Sequence, residues 1–283
     1  MAAKFFGQFL LEKGLINREQ LLHALDVQRA SNPMLGELAV ASGMLSDEQA
    51  ERVNQRQRAE DKRFGDLAVE MGLLDVGQVE SLLSMQKARR RFFGEILVDA
   101  GIMQAQQVED ELRLHRLERE QAVRALELGV HAHALGPMLT EAINACAKLF
   151  PRLFKAPSQY SQLVERSAQL DAFPVAGAVH ISGARQFSLV VACDFDTMTR
   201  VAGAFLGLHA IACDEDLARD ALGEFLNVVM GYVAKECLPE DAVYRASPPD
   251  FTHVAASFVR GGDASLGAVM TSELGDFALM VCE

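Results

Sequence analysis

A glycine recurs every 29 residues along the first third of the chain: Gly7, Gly36, Gly65 and Gly94 form one series, and Gly14, Gly43, Gly72 and Gly101 a second. Glutamine keeps the same spacing at Gln20, Gln49, Gln78 and Gln107, and again at Gln28, Gln57 and Gln86, where the fourth copy has His115. Four copies without an insertion constrain the fold more than any other feature. A repeat of this length is one supersecondary unit that buries its apolar face only by stacking on a neighbour. In GEILVDAG (Gly94–Gly101) the apolar spacing gives a short helix, and its second glycine is a C′ stop able to take the left-handed conformation. Two apolar residues follow in each copy (Leu15-Ile16, Met44-Leu45, Leu73-Leu74, Ile102-Met103) and are expected to tuck into the core. Asn17, Ser46 and Asp75 then stand three residues before a glutamine, a capping box that opens a second, longer helix; Gln104 is a poorer cap in the fourth copy. Residues 1–116 are therefore expected to form four helical hairpins without strands.

The frame G-x-x-[LA]-x-x-x-G-x-x-x-x-x-x-[LVA]-x-x-x-[LN]-x-x-[QH] resembles the MshEN domain, the N-terminal module of type II secretion and type IV pilus ATPases. In that family two tandem motifs cradle cyclic di-GMP, with glycines admitting the ligand to the backbone and an arginine stacking on guanine or pairing with phosphate. Here the motif arginine is in register only in the third copy, Arg63-Phe64-Gly65, and Arg91 is displaced by one position. The resemblance implies a nucleotide site between the third and fourth copies, drawn from Arg63, Gly65, Gly72, Gln86, Arg91, Gly94 and Gly101.

The remainder reads differently. LRLHRLEREQAVRALEL (residues 112–128) is a charged helix with few apolar anchors, and residues 117–134 are expected to be a helical linker. From 135 to 283 the pattern is α+β with a mainly antiparallel sheet. A helix is expected at Pro137–Phe150, strands at Val175–Ile181, Phe187–Cys193, Ala242–Ala246, Phe251–Phe258, Leu266–Thr271 and Phe277–Cys282, and helices at Thr197–Leu206 and Leu217–Lys235. Ser182-Gly183, Gly261-Gly262-Asp263 and Gly275-Asp276 are the turn signals. The whole chain is thus multidomain, an all-α repeat array followed by an α+β domain. A net charge of −12 argues against a nucleic acid polymer as the main ligand. No uncharged apolar run is long enough to cross a bilayer and the N-terminus lacks a cleavage-site pattern, so a cytoplasmic protein without membrane insertion is expected. Five cysteines without close pairs read as reduced thiols, neither a disulfide framework nor a zinc site.

Chemistry concentrates on the helix between Asp214 and Cys237. Leu222, Phe225, Leu226, Val229 and Val233 make one broad apolar face, leaving a narrow polar strip of Asp220, Glu224, Asn227 and Gly231. A carboxylate and a carboxamide one turn apart can address one water or one partner atom, and the glycine costs the helix about 1 kcal/mol against alanine. This pattern, with Pro249 twenty-two residues beyond Asn227, resembles the CheX branch of the CheC/CheX/FliY chemotaxis phosphatases. The resemblance implies hydrolysis of the aspartyl phosphate of a CheY-like receiver domain. Asn227 would orient the attacking water and Glu224 would dock the partner, with Asp220, Gly231 and Pro249 in support. It implies no cofactor of the chain's own, Mg2+ on the partner, and a homodimer through the CheX-like domain. Glu141 and Asn144 repeat the E-x-x-N spacing on the first helix of this domain, Pro137–Phe150, although Pro137 stands where an acid or serine is expected. The alternative is a catalytically silent adaptor, or a cyclic di-GMP effector, in a pilus, secretion or motility pathway, which the long repeat array favours.

Overall fold

The structure, a computed structural model, describes residues 4–60, 62–183, 185–207, 213–259 and 264–283. The chain forms two compact units, Phe6–His115 and one dominated by Arg116–Glu283.

In the first unit each copy is a short helix followed by a longer one. The pairs are α1 (Phe6–Glu12) and α2 (Arg18–Ser31), α3 (Leu35–Ala41) and α4 (Asp47–Ala59), α5 (Phe64–Glu70) and α6 (Val76–Arg89), and α7 (Phe93–Asp99) and α8 (Ala105–His131). No strand occurs among the described residues of this unit. Gly14, Gly43, Gly72 and Gly101 all lie at φ between +66° and +70°, where a side chain would be strained. Around each the chain closes the same motif: Gly43 N–H donates to Val40 O at 2.9 Å and Met44 N–H to Ala39 O at 2.9 Å, satisfying carbonyls the helix leaves open. Asn17, Ser46 and Asp75 make complete capping boxes with Gln20, Gln49 and Gln78. Gln104 makes half of one, its N–H donating to Gln107 Oε1 at 3.0 Å. Of each apolar pair after the turn, only the second residue is buried (Ile16, Leu45, Leu74 and Met103); Leu15 stays 38% exposed.

The copies do not stack in chain order. One core joins Leu38, Ala39 and Val53 of the second copy to Leu67, Ala68 and Leu82 of the third. The other joins Phe9, Leu10 and Ala24 of the first to Phe93, Leu97 and Val108 of the fourth. A reciprocal exchange ties the inner pair: Gln57 Nε2 donates to Lys62 O at 3.0 Å, and Gln86 Nε2 to Pro33 O at 2.9 Å. In the outer pair Asn32 clasps the backbone of Arg91, its Nδ2 donating to Arg91 O at 3.1 Å and its Oδ1 accepting from Arg91 N–H at 2.9 Å.

The second unit takes in the end of α8, which prolongs the last repeat as one helix to His131, and α9 (Gly136–Leu153). It then builds a six-stranded antiparallel sheet in the order β1-β5-β6-β3-β2-β4, from β1 (Ser158–Leu163), β2 (Val175–Gly183), β3 (Phe187–Cys193), β4 (Tyr244–Ala246), β5 (Ser265–Ser272) and β6 (Gly275–Cys282). Between β3 and β4 come α10 (Phe195–Leu206) and α11 (Glu215–Cys237). The two-residue period of the strands sends Leu189, Val191, Leu279 and Val281 towards α9, α10 and α11, where Phe150 stacks on Phe277 with centroids 4.9 Å apart. Val190, Ala192, Ala278 and Met280 face the other way, under Leu170, Phe173, Ala255 and Phe258.

Three expectations need correction. Phe251–Phe258 is not a strand: only Asp250 bridges to β2, and Ala255–Phe258 is a 3-10 turn that buries Ala255 and Phe258. Residues i and i+3 share a side of a 3-10 turn, so the apolar spacing there serves a turn laid on the sheet. The strand expected over Ala242–Ala246 shortens to the exposed edge piece Tyr244–Ala246. β1 falls outside the expected strands, because SQYSQL carries no apolar alternation; it buries Ser158, whose Oγ donates to Cys146 O at 3.1 Å. The Gly261-Gly262-Asp263 turn lies outside the described residues.

Candidate functional site

Asp214 caps α11, its Oδ1 accepting from Leu217 N–H at 2.8 Å, and Glu215 and Asp216 follow in the first turn where the helix dipole favours acids. Ala221, Leu222, Phe225, Leu226, Val229 and Val233 anchor the helix in the core, which turns the complementary strip outward. Asp220, Glu224, Asn227 and Gly231 are all exposed, in line along the middle of the helix. Among the described residues, the side chains of Asp220, Glu224 and Asn227 have no hydrogen-bond or ion-pair partner. Gly231 faces open space: a Cβ built there would meet no atom within 4 Å. Among the described residues, no packing contact therefore requires a glycine at this position of the helix.

The two borders of the strip differ. On one side is Val228, 39% exposed. On the other is Gly223, buried, above which a Cβ would stand 3.1 Å from Pro249 Cγ and 3.2 Å from Pro249 Cβ. The structure thus brings Pro249 to the strip across twenty-two residues of sequence. It holds Pro249 there through β2: Ala178 and Asp250 exchange both backbone hydrogen bonds at 2.8 Å, and Ser247 N–H donates to His180 O at 2.9 Å. Phe251 beds onto Gly177, where a Cβ would come within 2.7 Å of its ring. The hydroxyl and backbone N–H of Thr252 hold the Asp250 carboxyl below the usual carboxylate range.

Glu141 and Asn144 are separated by their surroundings. Asn144 is exposed, whereas Glu141 is half-buried in a cavity of about 790 Å³ between the start of α9 and the end of α11, with His133, Arg185, Glu236 and Cys237 on its walls. Burial raises the Cys237 thiol, and the Glu141 charge adds to the shift. Among the described residues no group of three or more His, Cys, Asp or Glu could hold a metal ion.

The residues suggested for a nucleotide are divided between the two pairs of copies. Arg63 is exposed at the start of α5, in the pair formed by copies two and three; Arg91 sits in the pair formed by copies one and four and forms an ion pair with Asp99. The expected pairing of copies three and four has no core of its own, because a period identifies the unit but not its neighbour. The Gln86 amide is engaged by Pro33 O. Gly65 and Gly94 are buried beneath the long helix of their own copies, with Val79 and Val108 where a Cβ would reach 2.8 and 2.6 Å. Gly72 and Gly101 are exposed and serve the left-handed turns.

With this geometry in place, residues 175–257 match the family model for the chemotaxis phosphatase CheX. The C-terminal domain is CheX-like. The matched stretch runs from the first residue of β2 into the 3-10 turn Ala255–Phe258, and it contains the whole polar strip, Gly223 and Pro249. Solved structures similar to the chain include the chemotaxis protein CheX from Desulfovibrio desulfuricans (16% identity, covering 52% of this chain and 97% of that one, TM-score 0.40). The CheX–CheY–BeF3–Mg2+ complex from Borrelia burgdorferi is another (15% identity, 50% and 94% covered, TM-score 0.41). FliY from Thermotoga maritima is a third (15% identity, 53% and 87% covered, TM-score 0.40). No curated protein sequence matches the chain. No helix among the described residues is long and apolar enough to cross a membrane.

Proposed function

We propose that the CheX-like domain hydrolyses the aspartyl phosphate of a CheY-type receiver domain. The observation that carries this reading is a carboxylate and a carboxamide one turn apart on the exposed edge of α11, with no partner among the described residues, on a strip that ends in a glycine facing open space. In this reading Asn227 orients the attacking water through its amide, and Glu224 pairs with a lysine of the receiver and fixes the docking. Gly231 leaves room for the receiver's backbone, and Asp220 and Pro249 border the contact. The aspartyl phosphate, the Mg2+ and the lysine belong to the receiver, so this chain supplies position alone, with no nucleophile and no metal of its own. The MshEN-like repeat unit serves as a regulatory or targeting input.

The test is loss of phosphate from a Mg2+-loaded, phosphorylated CheY-like receiver. Asn227→Ala is expected to lower turnover by about a hundredfold while leaving the fold and the affinity in place, since the exposed amide gives up no partner within the chain. Glu224→Ala is expected to weaken docking as well, because its role is a charge-assisted pair. A wild-type protein that binds receivers without shortening their phosphoryl lifetime is a silent adaptor. An Asn227→Ala protein as active as wild type rules out the Glu–Asn mechanism.

A further inference from the structure

We infer that Gly223 is a positioning residue of this site, an inference that rests on the phosphatase reading above. Two glycines open one wedge-shaped seat. Gly177, inside β2, admits the ring of Phe251, and Gly223, inside α11, admits both Phe251 and Pro249, whose nearest ring atoms would stand 3.6 and 3.1 Å from a Cβ at position 223. Glycine in the interior of a strand or helix weakens the element, and here each marks a close approach of the same loop. The loop is also held on its far side by the paired backbones of Ala178 and Asp250 and of His180 and Ser247, so it cannot simply swing aside.

Helical geometry fixes what this seat does for the site. Gly223 precedes Glu224 directly and lies one turn before Asn227, so Pro249 stands as a rigid ring along the Asn227 border of the strip. The opposite border is the exposed side chain of Val228, which belongs to α11 itself. A partner sliding over the strip therefore meets a fixed wall on one side only. That wall sets how far the acyl phosphate travels across α11 and hence where it stops relative to the Asn227 amide. A side chain at position 223 would push the wall outward by a few tenths of an ångström, on the scale at which misplacement costs turnover.

The experiment uses the full chain, a phosphorylated CheY-like receiver for turnover and the same receiver loaded with beryllofluoride for affinity. Gly223→Ala is expected to lower kcat about tenfold with affinity held within about twofold. Pro249→Gly, which removes the ring atoms that a methyl group at position 223 would strike, is expected to lower kcat to a similar degree. In the double variant the two losses should not add, because both act through one contact. Wild-type turnover in Gly223→Ala, or additive losses in the double variant, overturns the inference. Should Gly223→Ala fail to fold, wild-type turnover in Pro249→Gly overturns it equally. Asn227→Ala, measured alongside, separates the two levels: if it is inactive while Gly223→Ala is normal, the phosphatase reading stands and the positioning role falls. If wild type itself leaves the receiver's phosphoryl lifetime unchanged, both fall.

Discussion

Glycines and carboxamides occur in both units of this chain, and their surroundings give them opposite meanings. In the repeat unit the eight glycines of the frame are all accounted for by the fold: four hold left-handed turns, and four lie under a side chain of the packed unit, Leu21, Phe64, Val79 or Val108. The amides of Gln57 and Gln86 are likewise consumed, each donating to a backbone carbonyl of the paired copy. In the CheX-like domain Gly231 touches nothing and the Asn227 amide has no partner among the described residues. A glycine that the fold explains is a packing device. One that it does not explain, beside a polar group it does not use, marks a surface kept for something else.

Substitution at the two kinds of glycine breaks or sharpens this contrast. The largest effect on stability is expected from Gly94→Leu, since Val108 Cγ1 already stands 2.6 Å from where the Cβ would be. Overpacking of that kind costs about 1–3 kcal/mol, and thermal or urea denaturation of the full chain reads it directly. Gly231→Ala should act in the opposite direction, raising helix stability by about 1 kcal/mol while lowering turnover of a phosphorylated receiver. If Gly231→Ala were destabilising, the open space beside it would be filled in solution and the contrast would fail.

The smallest effect is expected from cyclic di-GMP. A nucleotide at a hundred times its dissociation constant would add about 2.7 kcal/mol. With Gly65 and Gly94 packed, Gln86 engaged and Arg63 and Arg91 in different pairs, no change in the melting curve of the full chain is expected at millimolar nucleotide. A shift abolished by Arg63→Ala would return the repeats to the nucleotide-binding class.

How much of this is legible in the sequence follows the nature of each signal. Hairpins, capping boxes and left-handed glycines are local, so Asn17, Ser46, Asp75 and the second glycine series announce them. The polar strip of α11 is equally legible, because spacing on one helix is a local property. Pairing of copies is not local, and a strict period hides it by making every neighbour look alike. β1 is silent because Ser158 and Ser161 are buried by hydrogen bonding and packing at the sheet edge, without an apolar pattern. The seat of Pro249 does leave a trace: Gly177 and Gly223 interrupt a strand and a helix, and such glycines commonly mark close approach.

The nested pairing of the copies, second with third and first with fourth, carries a consequence for how such an array forms and grows. In an open stack each unit meets its predecessor, so assembly can follow the chain as it emerges from the ribosome. Here the inner pair has its partner as soon as the third copy is made, whereas the first copy must wait for the fourth. Its apolar face remains uncovered for the longest time, with the loop-closure entropy of the intervening residues still opposing contact. A fifth copy added at the end would find the other four already paired. Such an array lengthens by taking two new copies into its centre, as brackets are added inside brackets.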